Sequence, residues 1–127
     1  MATKLKVRLP PYVTPRTEWR RCLHAAITEA MKKSGVKSTP RDSTPRDRLS
    51  LEVRLYLNAL ALKFHDVDNR LTDIMDALQG KVGGNGPHAP LLKPLIPNDN
   101  QVFRATIEKS LPPGQSHGLG HLIIRKL

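Results

Sequence analysis

Apolar and basic residues alternate near the N-terminus, with Leu5, Val7 and Leu9 set between Lys4, Lys6 and Arg8. A period of two predicts a half-buried strand, and Pro10-Pro11 stops it. The period then changes to that of a helix. Trp19, Cys22, Leu23, Ala26, Ile27, Ala30 and Met31 share one face, with a start at Thr14-Pro15 or Thr17. Lys32 and Lys33 suit the last turn and Gly35 the stop. Leu51, Val53, Leu55 and Leu57 alternate with Glu52, Arg54, Tyr56 and Asn58, which predicts a second strand. Residues 59–64, apolar apart from Lys63, either extend that strand or bend away from it. Across residues 65–80, Leu71, Ile74, Met75 and Leu78 form a second helical stripe that ends at Gly80. Gln101–Lys109 and His121–Arg125 read as two further strands, separated by a Pro/Gly turn region at 110–120.

The expected fold is therefore α/β (α+β): a small mixed β-sheet with two helices in the order β-α-β-α-β-β. Two stretches interrupt it. Residues 38–47 read STPRD twice and predict a loop insertion. Residues 80–97 hold four glycines and four prolines and predict a long loop without regular structure. At 127 residues the chain makes one domain, 1–127, with a core that must be aliphatic, because only 4% of residues are aromatic.

Composition narrows the class. Cys22 is the single cysteine, so an internal disulfide and a Cys-based zinc finger are excluded, in keeping with a reducing, cytoplasmic setting. His24, His65, His88, His117 and His121 follow no familiar zinc-ligand spacing. No apolar run reaches the roughly 20 residues of a membrane span, and the first residues carry no secretory signal. Neither a membrane partner nor export is expected.

Charge changes the picture more. The chain has 21 Lys+Arg against 11 Asp+Glu, a net charge of +10, which points to a polyanion such as nucleic acid. The excess is uneven. Residues 1–65 hold 14 cations and 5 acids; residues 66–99 hold 3 cations and 5 acids, all aspartates. Asp66, Asp68, Asp73, Asp76 and Asp99 form an acidic island in a basic chain. Acids repel phosphate, whereas a site that holds a divalent cation against phosphate needs both signs. Asp66 and Asp68, at i and i+2, point to the same side if the chain there is extended. Asp99 precedes a strand, where sheet pairing could return it to the same edge. Three carboxylates so placed suit Mg²⁺ or Mn²⁺. By spacing alone, Asp68 could equally cap the helix, and Asp99 could be a turn residue in Pro97-Asn98-Asp99-Asn100.

The run D-V-D-N-R-L-T-D-I-M-D-A-L at 66–78, followed by N-D-N-Q-V at 98–102, resembles the RusA family of Holliday junction resolvases. The matching parts are Asp66-x-Asp68-Asn69, Asp76-Ala77-Leu78, the turn Asn98-Asp99-Asn100-Gln101-Val102, and Lys109 late in the next strand. The resemblance implies a bacterial or phage-encoded, homodimeric, Mg²⁺-dependent endonuclease that cuts branched DNA. It assigns the metal and the catalysis to Asp66, Asp68 and Asp99, with Asn69 and Asp76 as possible supports. A two-fold dimer suits a four-way junction, which needs two opposed cuts. Arg70, Lys109, Arg16 and Arg20 are candidate DNA contacts.

The chain departs from the family pattern at three places. Thr72 stands where many members have Lys, Asn98 replaces one acid of a double-Asp turn, and the 80–97 connection is long enough to add contacts through His88 and Lys93. The first two departures motivate a rival reading, a catalytically degenerate DNA-binding protein. A second rival is a basic RNA-binding protein whose aspartates are caps and turns. Trp19 reads as a core anchor and Asp73 as solvated, and Tyr12 and Tyr56 could stack on bases but two tyrosines make no stacking platform.

Overall fold

A computed structural model describes residues 4–34, 48–57, 61–83, 92–96, 101–111 and 120–126. The elements run β1 (Lys4–Arg8), α1 (Arg16–Ser34), β2 (Leu49–Tyr56), α2 (Val67–Leu78), β3 (Val102–Ser110) and β4 (Gly120–Lys126), which is the expected order. The four strands form one sheet, ordered β1-β4-β2-β3. β4 pairs antiparallel with both neighbours, while β2 and β3 are parallel with Leu51 beside Ala105 and Leu55 beside Lys109. Parallel neighbours need a crossover, and α2 lies in the connection between them.

Alternation decides the faces. Leu5, Val7, Leu51, Val53, Leu55, Leu122 and Ile124 all turn to one side and are buried. Helix α1 covers them with Trp19, Leu23, Ile27 and Met31, and α2 with Ile74, Ala77 and Leu78. The core is aliphatic apart from Trp19, whose indole N–H donates to Pro10 O at 3.2 Å. The opposite face carries no helix among the described residues.

The 80–97 connection is less loose at its ends than its composition suggests. Gly80, at φ +77°, closes α2 with a paired motif: Gly80 N–H donates to Ala77 O and Lys81 N–H to Asp76 O. Beyond it, Val82, Leu95 and Ile96 are buried, and Leu92 N–H and Leu95 N–H donate to Gly80 O and Leu78 O. A Cβ at Gly80 would lie 2.1 Å from Leu92 O, so this docking needs glycine as well as the turn does. His24 Nε2 meets Lys93 O at 2.9 Å and ties the same segment to α1. The STPRD duplication and His88 lie outside the described residues. Of the apolar stretch 59–64, residues 61–63 make a single 3₁₀ turn rather than more strand.

Candidate functional site

Asp66 and Asp68 sit at the N-terminus of α2. Asp66 is the N-cap residue, with extended backbone (φ −86°, ψ 133°), and the helix begins at Val67. Asp68 is therefore helical. The shared side expected of an extended i, i+2 pair does not apply, because the chain has already turned into the helix. Asp66 does not cap through its side chain. Its Oδ2 accepts from Asn69 Nδ2 at 3.3 Å instead. Both aspartates are exposed, and among the described residues neither forms an ion pair. The positive end of the helix dipole favours two anions in this first turn. Thr72 is exposed, and its hydroxyl folds back on the helix to donate to Asp68 O at 2.9 Å.

The other two acids of α2 behave differently. Asp73 is not solvated; it is 0% exposed. Arg16 and Arg20 reach it from α1, each within 3.0 Å, and Arg70 reaches it from its own helix at 3.5 Å. A buried carboxylate must be paired and hydrogen-bonded, and these three guanidinium groups meet that demand. Asp76 lies eight residues beyond Asp68, about 12 Å of helical rise, and its carboxylate turns to Arg20 at 3.5 Å. It does not join Asp66 and Asp68.

The arginines expected at DNA are largely committed to this network. Arg70 is only 6% exposed and lies over the rings of Tyr12 (4.3 Å) and Trp19 (5.6 Å). Its Nε and Nη1 have no hydrogen-bond partner among the described residues. Arg16 keeps part of its surface, but its Nη2 also donates to Asn69 O at 3.2 Å, which ties α1 to the turn holding the aspartates. The Asp73 hydrogen bond raises the Arg16 pKa further, so its charge is permanent. Tyr12 packs against Trp19, His65 and Arg70 rather than standing free. Tyr56 meets His121 edge-on at 5.8 Å.

Lys109 has a specific place. From the far end of β3 its ammonium donates to Leu62 O at 2.6 Å and His65 O at 2.8 Å. It anchors the segment that delivers Asp66. This positioning contact was not foreseen; the signal for it was the position of a lone lysine on the inward face of a strand. Asp99, the third metal candidate, lies outside the described residues. Among the described residues no three His, Cys, Asp or Glu side chains are grouped to hold a metal ion. Asp66 and Asp68 supply exposed carboxylate oxygens, the donor type a hard divalent cation takes, but the helical turn between them removes the shared side.

The uncovered sheet face supplies the opposite sign. Register and alternation place Lys4, Lys6, Arg8, Arg54, Arg104 and Arg125 there, with Glu52 and Glu108 as the acids. Six cations against two anions leave +4, and among the described residues only Arg125 and Glu52 of this set pair, at 3.4 Å.

Two histidines flank these features. Burial first, then Arg70 and Lys109, hold the His65 imidazole below its usual pKa; burial, Lys6 and Arg54 do the same for His121. The unfolded chain protonates both near pH 6.5, before the folded protein does. Their contribution to stability is thus complete above about pH 6.5 and is lost as pH falls through the lowered folded values. We expect a lower urea midpoint at pH 5.5 than at pH 7.5, and a shallower loss in a His65→Gln/His121→Gln variant. A double variant as pH-sensitive as the parent would refute this.

No protein-family model matches the chain, and no curated protein matches it. No helix among the described residues is long and apolar enough to cross a membrane.

Proposed function

We propose that the chain is a metal-dependent endonuclease acting on branched DNA, with four-way junctions as its substrate. The observation that carries the reading is the contrast along α2 and its N-cap: Asp73 and Asp76 are taken up by arginines, while Asp66 and Asp68 stand exposed at the helix start with no ion pair among the described residues. Structural acids are neutralised; these two are left available. The D-x-D-N run and the later N-D-N-Q-V turn support the same reading by resemblance.

Asp66, Asp68 and Asp99 would hold Mg²⁺ or Mn²⁺. A bound ion of this kind polarises a phosphodiester and makes water a nucleophile near neutral pH. The chain's own residues orient the site. Asn69 hydrogen-bonds Asp66, Arg16 holds Asn69 O, and Lys109 fixes the carbonyls just upstream. Backbone phosphates elsewhere would be held by charge without reading bases.

Incubation of the purified chain with a synthetic four-way junction should give paired nicks with Mg²⁺ and none with EDTA. A second reading is favoured by Thr72 and by the burial of Arg70, which leave little free positive charge beside the aspartates. It is a DNA-binding protein of the same fold that no longer cuts. Tight junction binding without nicking, in Mg²⁺ and in Mn²⁺, would select it. Equal binding to RNA, with no preference for branched DNA, would reject both.

A further inference from the structure

The open face of the sheet is uneven in charge. Its β1–β4 half carries Lys4, Lys6, Arg8 and Arg125 and no acid, while on its β2–β3 half Arg54 and Arg104 are balanced by Glu52 and Glu108. The excess of the face therefore belongs to one half. Arg125 leans to Glu52, but Lys4, Lys6 and Arg8 are exposed and form no ion pair among the described residues. One face of a strand recurs every second residue, so these three cations stand in a straight row with about 7 Å between neighbours. The chemistry changes one strand inward. There the register sets Ile123 beside Lys6 and His121 beside Arg8, and Tyr56 of β2 meets the His121 ring edge-on at 5.8 Å. Burial, Lys6 and Arg54 hold His121 below its usual pKa, so it presents a neutral ring at pH 7.

From this arrangement we propose that the β1–β4 half of the face binds an unpaired strand of DNA, with its phosphates along Lys4, Lys6 and Arg8 and its bases over Ile123, His121 and Tyr56. A track of cations beside aromatic rings is the combination that holds a single strand without reading its sequence. A duplex fits poorly, because its bases are stacked inside and its backbones wind away from a flat surface. The mixed charge of the β2–β3 half confines the strand to the β1 side. Both helices pack on the other face of the sheet, and Asp66 and Asp68 stand at the start of one of them. The track is thus a second site, and binding there needs neither metal nor cutting. Only the choice of DNA over RNA rests on the function proposed above.

Fluorescence anisotropy with a labelled twelve-nucleotide oligo-dT, titrated in EDTA, tests this. Wild type should bind it about tenfold or more tightly than a duplex of the same length, with a salt slope of about −2, near 0.7 for each phosphate contacted. Lys6→Gln/Arg8→Gln should weaken binding about tenfold and flatten the slope by about 1.4. Arg48→Gln/Arg104→Gln removes the same charge at the opposite edge and should stay within about threefold of wild type. Tyr56→Leu should cost about fivefold or more, while Tyr56→Phe, which keeps the ring, should bind as wild type does. Circular dichroism confirms that each variant is folded. Equal losses in the two double variants would mean that overall charge binds the strand, and would overturn the site. Duplex held as tightly as oligo-dT, or Tyr56→Leu binding normally, would overturn the single-strand geometry. Oligo-U held more tightly than oligo-dT would overturn the choice of DNA. Junction nicking is scored separately, so a chain that binds the strand but never cuts keeps this inference and loses the proposed function.

Discussion

Asp73→Asn should cost about 3–5 kcal/mol of folding stability, the size expected when one partner of a buried charge cluster is removed. The change keeps shape and volume, so any loss reports charge rather than a cavity. Three guanidinium groups converge on this carboxylate, and one of them, Arg70, has almost no access to water. Without the anion, Arg70 is a buried cation supported only by two aromatic rings, with two N–H-bearing nitrogens already unpartnered. A loss on this scale is a large share of the roughly 5–15 kcal/mol that stabilises a domain. Urea unfolding followed by circular dichroism measures it. Adding Arg70→Met to the Asn variant removes the orphaned charge and should recover part of the loss, because an apolar side chain of similar volume suits that site. An Asp73→Asn protein within about 1 kcal/mol of wild type would mean that the cluster does not hold the two helices together.

The second large effect concerns activity with stability unchanged. Asp68→Asn should reduce Mg²⁺-dependent nicking of a four-way junction by about a hundredfold or more, since a carboxylate ligand to the ion accounts for several kcal/mol of the barrier. Asp68 is exposed and makes no ion pair among the described residues, so the urea midpoint should hardly move. Junction binding should persist or tighten, because a negative charge near phosphate is gone. The three readouts separate a site residue from a structural one. Normal nicking by Asp68→Asn would rule out Asp68 as a ligand, and a collapse in stability would make any lost activity uninformative about metal.

Much of the fold was legible because burial wrote itself into simple periods. Leu5-Val7-Leu9 and Leu51-Val53-Leu55-Leu57 alternate cleanly, each strand having one face on the core and one in water. The α1 stripe holds for the same reason, with Trp19, Leu23 and Ile27 all fully buried. The buried stripe of α2 is rotated from the one its apolar residues mark. Its buried face is Arg70, Asp73, Ile74, Ala77 and Leu78, while Leu71 and Met75 are only half-buried. Two charged residues on that face hid it, since a pattern of apolar positions counts Arg and Asp as surface. The spacing 70, 73, 74, 77, 78 was visible all the same, and a charged pair at i, i+3 within it marks a buried ion cluster. The geometry at Asp66 and Asp68 was harder to read, because it depends on the helix beginning at Val67 rather than one turn later. That boundary is decided by tertiary contacts, among them Lys109 on Leu62 O and His65 O and Arg16 on Asn69 O, which link residues more than 40 positions apart.

The place of β4 bears on how the chain is made. It is the last element in chain order, yet it lies between β1 and β2 and hydrogen-bonds to both. During synthesis β1, β2 and β3 leave the ribosome before the strand that joins them. At 5–20 residues per second, the exposed edges of β1 and β2 wait on the order of seconds. The Lys4-Lys6-Arg8 row, whose charges disfavour pairing with copies of itself, protects the nascent chain over that interval as well as the finished sheet.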